Sequence, residues 1–207
     1  MRTLVIGCGA LSRELLDIVD RNGLQDAVTV ECLPARLHNT PAEIPGAVAE
    51  RIERAGDTYD RILVGYADCG TGGDLDRVLE GTVAERLEGA HCYEFYATAS
   101  VFADEHESEP GTFYLTDFLV RHFDRIVVTG LGLDRHPQLR DDYFGNYVRV
   151  LHLAQHDDPG LERQGRLAAE RLGLAYERRV VGYGALEPAL VRFGGEDGGT
   201  ADHDLVA

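Results

Sequence analysis

At 207 residues, 44% of them hydrophobic, the chain is long enough to bury a core without disulfide or metal staples. All 20 basic residues are Arg, so lysine Schiff-base chemistry and a Walker-type phosphate lysine are excluded. A formal net charge of −16 repels phosphate backbones and anionic bilayers, and no apolar run approaches the roughly 18 residues that span a membrane, so neither nucleic acid nor membrane is an expected partner.

The opening residues Thr3-Leu-Val-Ile-Gly7 read as a buried strand and lack the long apolar stretch of a signal peptide, so a cytoplasmic protein is expected. Leu11, Leu15, Ile18 and Val19 recur at helical spacing, which predicts a helix over 10–21 with Ser12 as its N-cap. Residues 27–33 read as a second strand stopped by Pro34, with a loop at Leu37–Pro41 and a helix over about 41–54 after it. A third strand is expected at 60–66, a Gly-rich turn at 69–73, a helix over 75–87 and a fourth strand over 90–96. Residues 97–111 read as irregular, and Thr116-Asp117 as the cap of a helix through Phe123. Further strands are expected at 125–129, where the pattern also allows a continuing helix, at 147–153 and at 175–181. Helices are expected over 160–172 and 186–193. Strands this apolar, alternating with helices, predict an α/β fold: a doubly wound, mostly parallel Rossmann-like sheet with helices on both faces. Residues 1–193 read as a single α/β domain and 194–207, rich in Gly and Asp, as a disordered tail.

The four cysteines carry the chemistry. In a reducing compartment they are packing residues, metal ligands or reactive groups rather than disulfides. Cys8 follows the first strand, Cys69 lies three residues beyond the third, and Cys92 falls at the fourth. Parallel strands about 4.8 Å apart point one way, so Cys8 and Cys69 are expected at one carboxyl edge, where open α/β sheets bind ligands at the switch point. Zn²⁺ takes thiolates and imidazoles and keeps a position open in three-ligand sites, which makes Cys8, Cys69 and Cys92 candidate ligands, with His91 as a further ligand or orienting group. Cys32 reads as packing. Cys8 and Cys69 precede helices whose dipoles would depress thiol pKa values. No CxxC pair is present.

Gly7-Cys8-Gly9 resembles a dinucleotide loop lacking its third glycine, with Ser12 in that place, although Glu31 stands where a ribose-binding carboxylate would. Gly9, Gly70, Thr71, Gly72 and Gly73 are the candidate ligand- or anion-binding residues, because loop amides ahead of a helix can cradle an anion. His38, His91, His136, His152 and His156 are scattered. His152 and His156 close the 147–153 strand and share its edge.

The series Cys8-Gly9, Leu37-His38-Asn39-Thr40-Pro41, Gly65-Tyr66-Ala67-Asp68-Cys69-Gly70, Cys92 and Gly111-Thr112-Phe113-Tyr114-Leu115-Thr116 resembles the DUF1638 family, a domain of unknown function, over nearly the whole chain to about residue 193. The family pattern at the fourth strand is His-Asp-Cys. Here it reads Ala90-His91-Cys92, so the Cys is kept and the His is moved by one place. The resemblance implies a three-cysteine site at Cys8, Cys69 and Cys92 more than it implies any reaction; some members are encoded near corrinoid-dependent methyl-transfer systems, and a thiol or methyl carrier is the small molecule expected to complete the coordination. The expected function is a metal-dependent enzyme acting on a small molecule, with zinc or alternatively an iron–sulfur cluster as cofactor. Two other readings stay open: a non-catalytic small-ligand or metal-binding module, and a nucleotide-binding Rossmann-like enzyme without metal.

Overall fold

The computed structural model describes residues 1–97 and 99–195, with side chains at 99–101, 103 and 106 left out. Contacts divide the chain into two compact units, Met1–Glu88 with the segment from Glu187 onward, and Gly89–Leu186. Each unit holds one wholly parallel sheet surrounded by helices, the α/β, Rossmann-like class.

In the first unit β1 (Thr3–Cys8), β2 (Val28–Leu33), β3 (Arg61–Gly65) and β4 (Ala84–Arg86) lie in the order β2-β1-β3-β4. β1 is buried at every residue, as its unbroken apolar run requires of a central strand. α1 (Ser12–Arg21) buries Leu15, Ile18 and Val19 on one face. α2 (Ile44–Ala55) and α3 (Asp74–Leu79) supply the later crossovers. The final helix also belongs to this unit: the Thr3 hydroxyl donates to the Phe193 carbonyl at 3.0 Å, and the Arg61 guanidinium sits 4.1 Å over the Phe193 ring. The chain leaves β1 toward β2 on one side, while β3 pairs on the other, so the switch point lies between β1 and β3.

In the second unit α4 (Tyr93–Ala97) and α5 (Ala99–Ser108) precede a three-stranded sheet ordered β5-β6-β7, from Thr112–Thr116, Arg149–Ala154 and Ala175–Val180. α6 (Asp117–Arg121) is capped by Thr116, whose hydroxyl accepts from the Leu119 amide, as the sequence predicts. After α7 (Leu139–Phe144), α8 (Pro159–Leu172) starts at Asp158, which caps Gly160 and Leu161, and stops at left-handed Gly173. Leu115, Val150, Leu161, Ala169 and Leu172 fill the core between α8 and the sheet. The chain then turns into α9 (Leu186–Gly194).

The structure departs from the sequence reading at several elements. The fourth strand is Ala84–Arg86, inside the expected helix over 75–87, and that helix ends at Leu79. The expected strand over 90–96 is a turn and α4, which buries Phe95, Tyr96 and Ala97. Residues expected to be irregular form α5, and β5 takes Thr-Phe-Tyr-Leu-Thr, a β-rich run that the cap reading hid. Asp124–Thr129 is a π-helical turn that buries Val127 and Val128, so tertiary packing overrides the β-branched preference, as the helical alternative allowed. Ser12 is not a cap: its hydroxyl donates to the Gly9 carbonyl at 3.0 Å. The expected tail lies, from residue 196 on, outside the described residues.

Candidate functional site

The carboxyl edge of the first sheet is built by register. Gly7 of β1 pairs with Cys32 of β2 and with Gly65 of β3, so the residues just beyond these, Cys8 and Tyr66, emerge side by side at the switch point. Gly9 has no room for a side chain: a Cβ there would stand 2.8 Å from the Leu33 carbonyl oxygen. That glycine serves close packing of the turn against the chain after β2, and it is this packing that holds Cys8 at the strand end.

Cys8 is 2% exposed. Its Sγ lies 3.3 Å from Nε2 of His38, which the loop after β2 brings back over the edge. The Ala10 amide also donates to Cys8 Sγ, at 3.4 Å. Burial pushes the Cys8 thiol up to about 11, and this outweighs the amide dipoles that the sequence reading expected to depress it. Cys69 and Cys32 stand near enough that their charges would raise it further. Burial lowers the pKa of His38. The pair is therefore a neutral thiol beside a neutral imidazole. Tyr66, 1% exposed, brings its hydroxyl close enough to Cys8 to favour a thiolate, yet that hydroxyl makes no hydrogen bond among the described residues. Its own pKa is raised, first by burial and then by Cys8.

Cys69 adopts φ 51°, the one positive φ at a non-glycine among the described residues, a conformation that costs about 1–2 kcal/mol. The loop that holds it is organised by Asp68. The amides of Gly70, Gly72 and Gly73 and the Thr71 hydroxyl all donate to the Asp68 carboxylate, at 2.9–3.2 Å. The anion in this cradle is the loop's own side chain, and the Gly73 amide foremost holds its pKa down. Glu31 is likewise engaged, 2.7 Å from Arg51. Cys92 and His91 stand in the second unit, in the turn before α4, where the carboxylate of Glu94 accepts the His91 amide. Among the described residues no group of three or more His, Cys, Asp or Glu is arranged to hold a metal ion. Cys8 and His38 supply two adjacent donors.

The carboxyl edge of the second sheet carries a different cluster. Asp117, fully buried, follows β5; His156 follows β6; Tyr183 follows β7. Asp117 Oδ1 lies 3.0 Å from His152 Nε2, and Oδ2 lies 2.9 Å from His156 Nδ1 and accepts the His156 amide at 3.1 Å. The Asp117 amide donates to Gln155 Oε1 at 2.8 Å. Beyond the imidazoles stand Tyr176, 3.0 Å from His152 Nδ1, and Tyr183, 3.1 Å from His156 Nε2. Burial acts to raise the Asp117 carboxyl, but donation from His152 and His156 outweighs it and the pKa falls below the ordinary value. The sequence reading noticed both histidines but took Asp117 only as part of a helix cap and did not single out Tyr183; their places beside the histidines follow only from strand pairing. His38 was seen as one scattered histidine, and its approach to Cys8 was not.

A family described as a protein of unknown function (DUF1638) matches residues 32–190, a span that includes His38, Tyr66, Cys69, Asp117 and His156 and begins after Cys8. No curated protein and no solved structure matches the chain. With the match running over most of its length, the chain belongs to the DUF1638 family.

Proposed function

We propose that the protein is an enzyme acting on a small, uncharged molecule through the Cys8 thiol, with His38 as the base that takes its proton. The observation that carries this reading is the 3.3 Å approach of Cys8 Sγ to His38 Nε2 at the switch point of the sheet. A buried thiol raised to about 11 is unreactive at rest. It becomes a nucleophile when an electrophile arrives and His38 accepts the proton: the S–H bond breaks, an N–H bond forms, and the sulfur pair bonds to the electrophilic carbon while the pair of the bond broken there moves onto the carbonyl oxygen or the departing group. The unpartnered Tyr66 hydroxyl is a donor available to charge developing on the attacked group. Thiol or methyl-group chemistry on a neutral substrate fits a site whose own groups are neutral.

The test is alkylation of Cys8 by iodoacetamide, followed residue by residue by mass spectrometry. His38→Gln is expected to slow modification at Cys8 by tenfold or more while Cys32 is unchanged. Equal rates at Cys8 in the two proteins would refute the assignment.

A second reading, favoured by the proximity of Cys8, Cys32 and Cys69 in one unit, is uptake of a soft metal ion. Zinc would find Cys8 and His38 already adjacent and would have to draw in Cys69 on binding, and it would supply Lewis acidity there. Zinc added to metal-free protein would then protect Cys8 and Cys69 together from alkylation, and a chelator would reverse it. Protection of neither thiol removes this reading and leaves the first.

A further inference from the structure

We propose that the second unit carries a separate proton-transfer site, with His156 as its catalytic base, Asp117 as the positioning residue and a hydroxyl-bearing small molecule as substrate. The argument runs outward from the carboxylate. Asp117 is ionised, since its pKa is lowered, and it is fully buried, so every group on it must donate. His156 therefore carries its proton on Nδ1 and His152 on Nε2: one carboxylate fixes opposite tautomers in the two rings. That leaves the Nε2 lone pair of His156 pointing away from Asp117, where it accepts from the Tyr183 hydroxyl.

His152 cannot reach a substrate, being fully buried with its second nitrogen satisfied by Tyr176. His156 can, because its side chain is 49% exposed. Its backbone is pinned as well: the Arg178 guanidinium donates to the His156 carbonyl at 3.1 Å and to the Asp157 carboxylate at 3.0 Å, and the His156 amide is held by Asp117. An exposed imidazole with a fixed tautomer, oriented by a buried carboxylate at the carboxyl ends of parallel strands, is the arrangement of a general base. A substrate hydroxyl takes the place of the Tyr183 hydroxyl at Nε2. The O–H bond breaks, the N–H bond forms, and the electron pair stays on oxygen. The resulting imidazolium is stabilised by Asp117, whose Oδ2 also has the Arg121 guanidinium 3.9 Å away. Exposed Asp157 and Asp158 beside the histidine favour an uncharged substrate over an anionic one.

Two readouts test this. Long-range ¹H–¹⁵N NMR of the folded, unmodified protein at pH 8 is expected to show the proton of His156 on Nδ1 and that of His152 on Nε2. Carbethoxylation of His156 by diethyl pyrocarbonate, located by mass spectrometry, is expected to quicken about fivefold in Tyr183→Phe, which frees Nε2, and to slow about fivefold in Asp117→Ala. The first two measurements stand even if Asp117→Ala does not fold. A proton on Nε2 of His156, or the same carbethoxylation rate with and without the Tyr183 hydroxyl, overturns the proposal.

Discussion

Cys8 and Asp117 are both buried acids, and the difference between them lies in their donors. Asp117 receives two imidazoles and a backbone amide, which is enough to reverse the effect of burial. Cys8 has a weak amide contact from Ala10 and the nearby Tyr66 hydroxyl, which together do not offset burial, so the thiol is held at about 11. A folded pKa above the unfolded value of 9.0 means that the neutral thiol contributes stability below pH 9, and that this contribution is lost as pH rises through about 11. Alkylation of Cys8 is accordingly expected to keep climbing with pH up to about 11, whereas an ordinary thiol levels off near 9. A plateau for Cys8 at pH 9 would show a site more polar than the one described. Cys69 responds to a different residue. Asp68→Asn weakens the four donors that shape its loop, so Cys69 should alkylate several-fold faster and stability fall by about 1 kcal/mol, read by urea unfolding.

Strands β1 and β3 were legible in the sequence because central parallel strands are apolar on both faces, and α8 because its cap, its apolar stripe and its terminal glycine agree. β4 was not, since three residues bounded by polar neighbours carry no periodic signal. The segment 90–97 misled because Phe95, Tyr96 and Ala97 form a short apolar run that periodicity alone cannot assign to strand or helix. Edge strand β7, Ala-Tyr-Glu-Arg-Arg-Val, was found even though most of it is exposed. Of the candidate site, the placing of Cys8 and Cys69 at one edge followed from strand direction alone, while the His38 contact depends on a loop path that no spacing encodes. The glycine in α8 shows the same limit. Gly165 reads as a weak helix residue, yet a Cβ there would meet the Tyr176 ring and hydroxyl at 2.9 Å and His152 Nδ1 at 3.2 Å. Gly165→Ala is expected to push Tyr176 off His152 and to cost about 1–3 kcal/mol despite the gain in helix propensity. A thermal melt unchanged or raised by this substitution would show that the tyrosine yields freely.

At the scale of the whole molecule, each unit presents chemistry at the carboxyl edge of its own parallel sheet, a thiol–imidazole pair in one and a carboxylate–imidazole–phenol chain in the other. Their responses to pH are opposite in sign. The ionised Asp117 contributes stability that is fully present above the unfolded carboxylate value, about 4, and is lost as pH falls through its lower folded value. Acid unfolding monitored at residues of the second unit should therefore shift toward neutral pH in Asp117→Asn, with about 3 kcal/mol lost at pH 7. An unshifted acid transition would mean that the carboxylate is not ionised in the fold. The account as a whole rests on Cys8 being a working nucleophile and not a packed thiol. Incubation with p-nitrophenyl acetate at pH 8, with the acetyl group located by peptide mapping, tests this most directly. The result expected is a burst of nitrophenolate approaching one equivalent, with the acetyl on Cys8, absent in Cys8→Ser and slowed in both His38→Gln and Tyr66→Phe. No burst, or acetyl spread evenly over Cys8, Cys32 and Cys69, would contradict it.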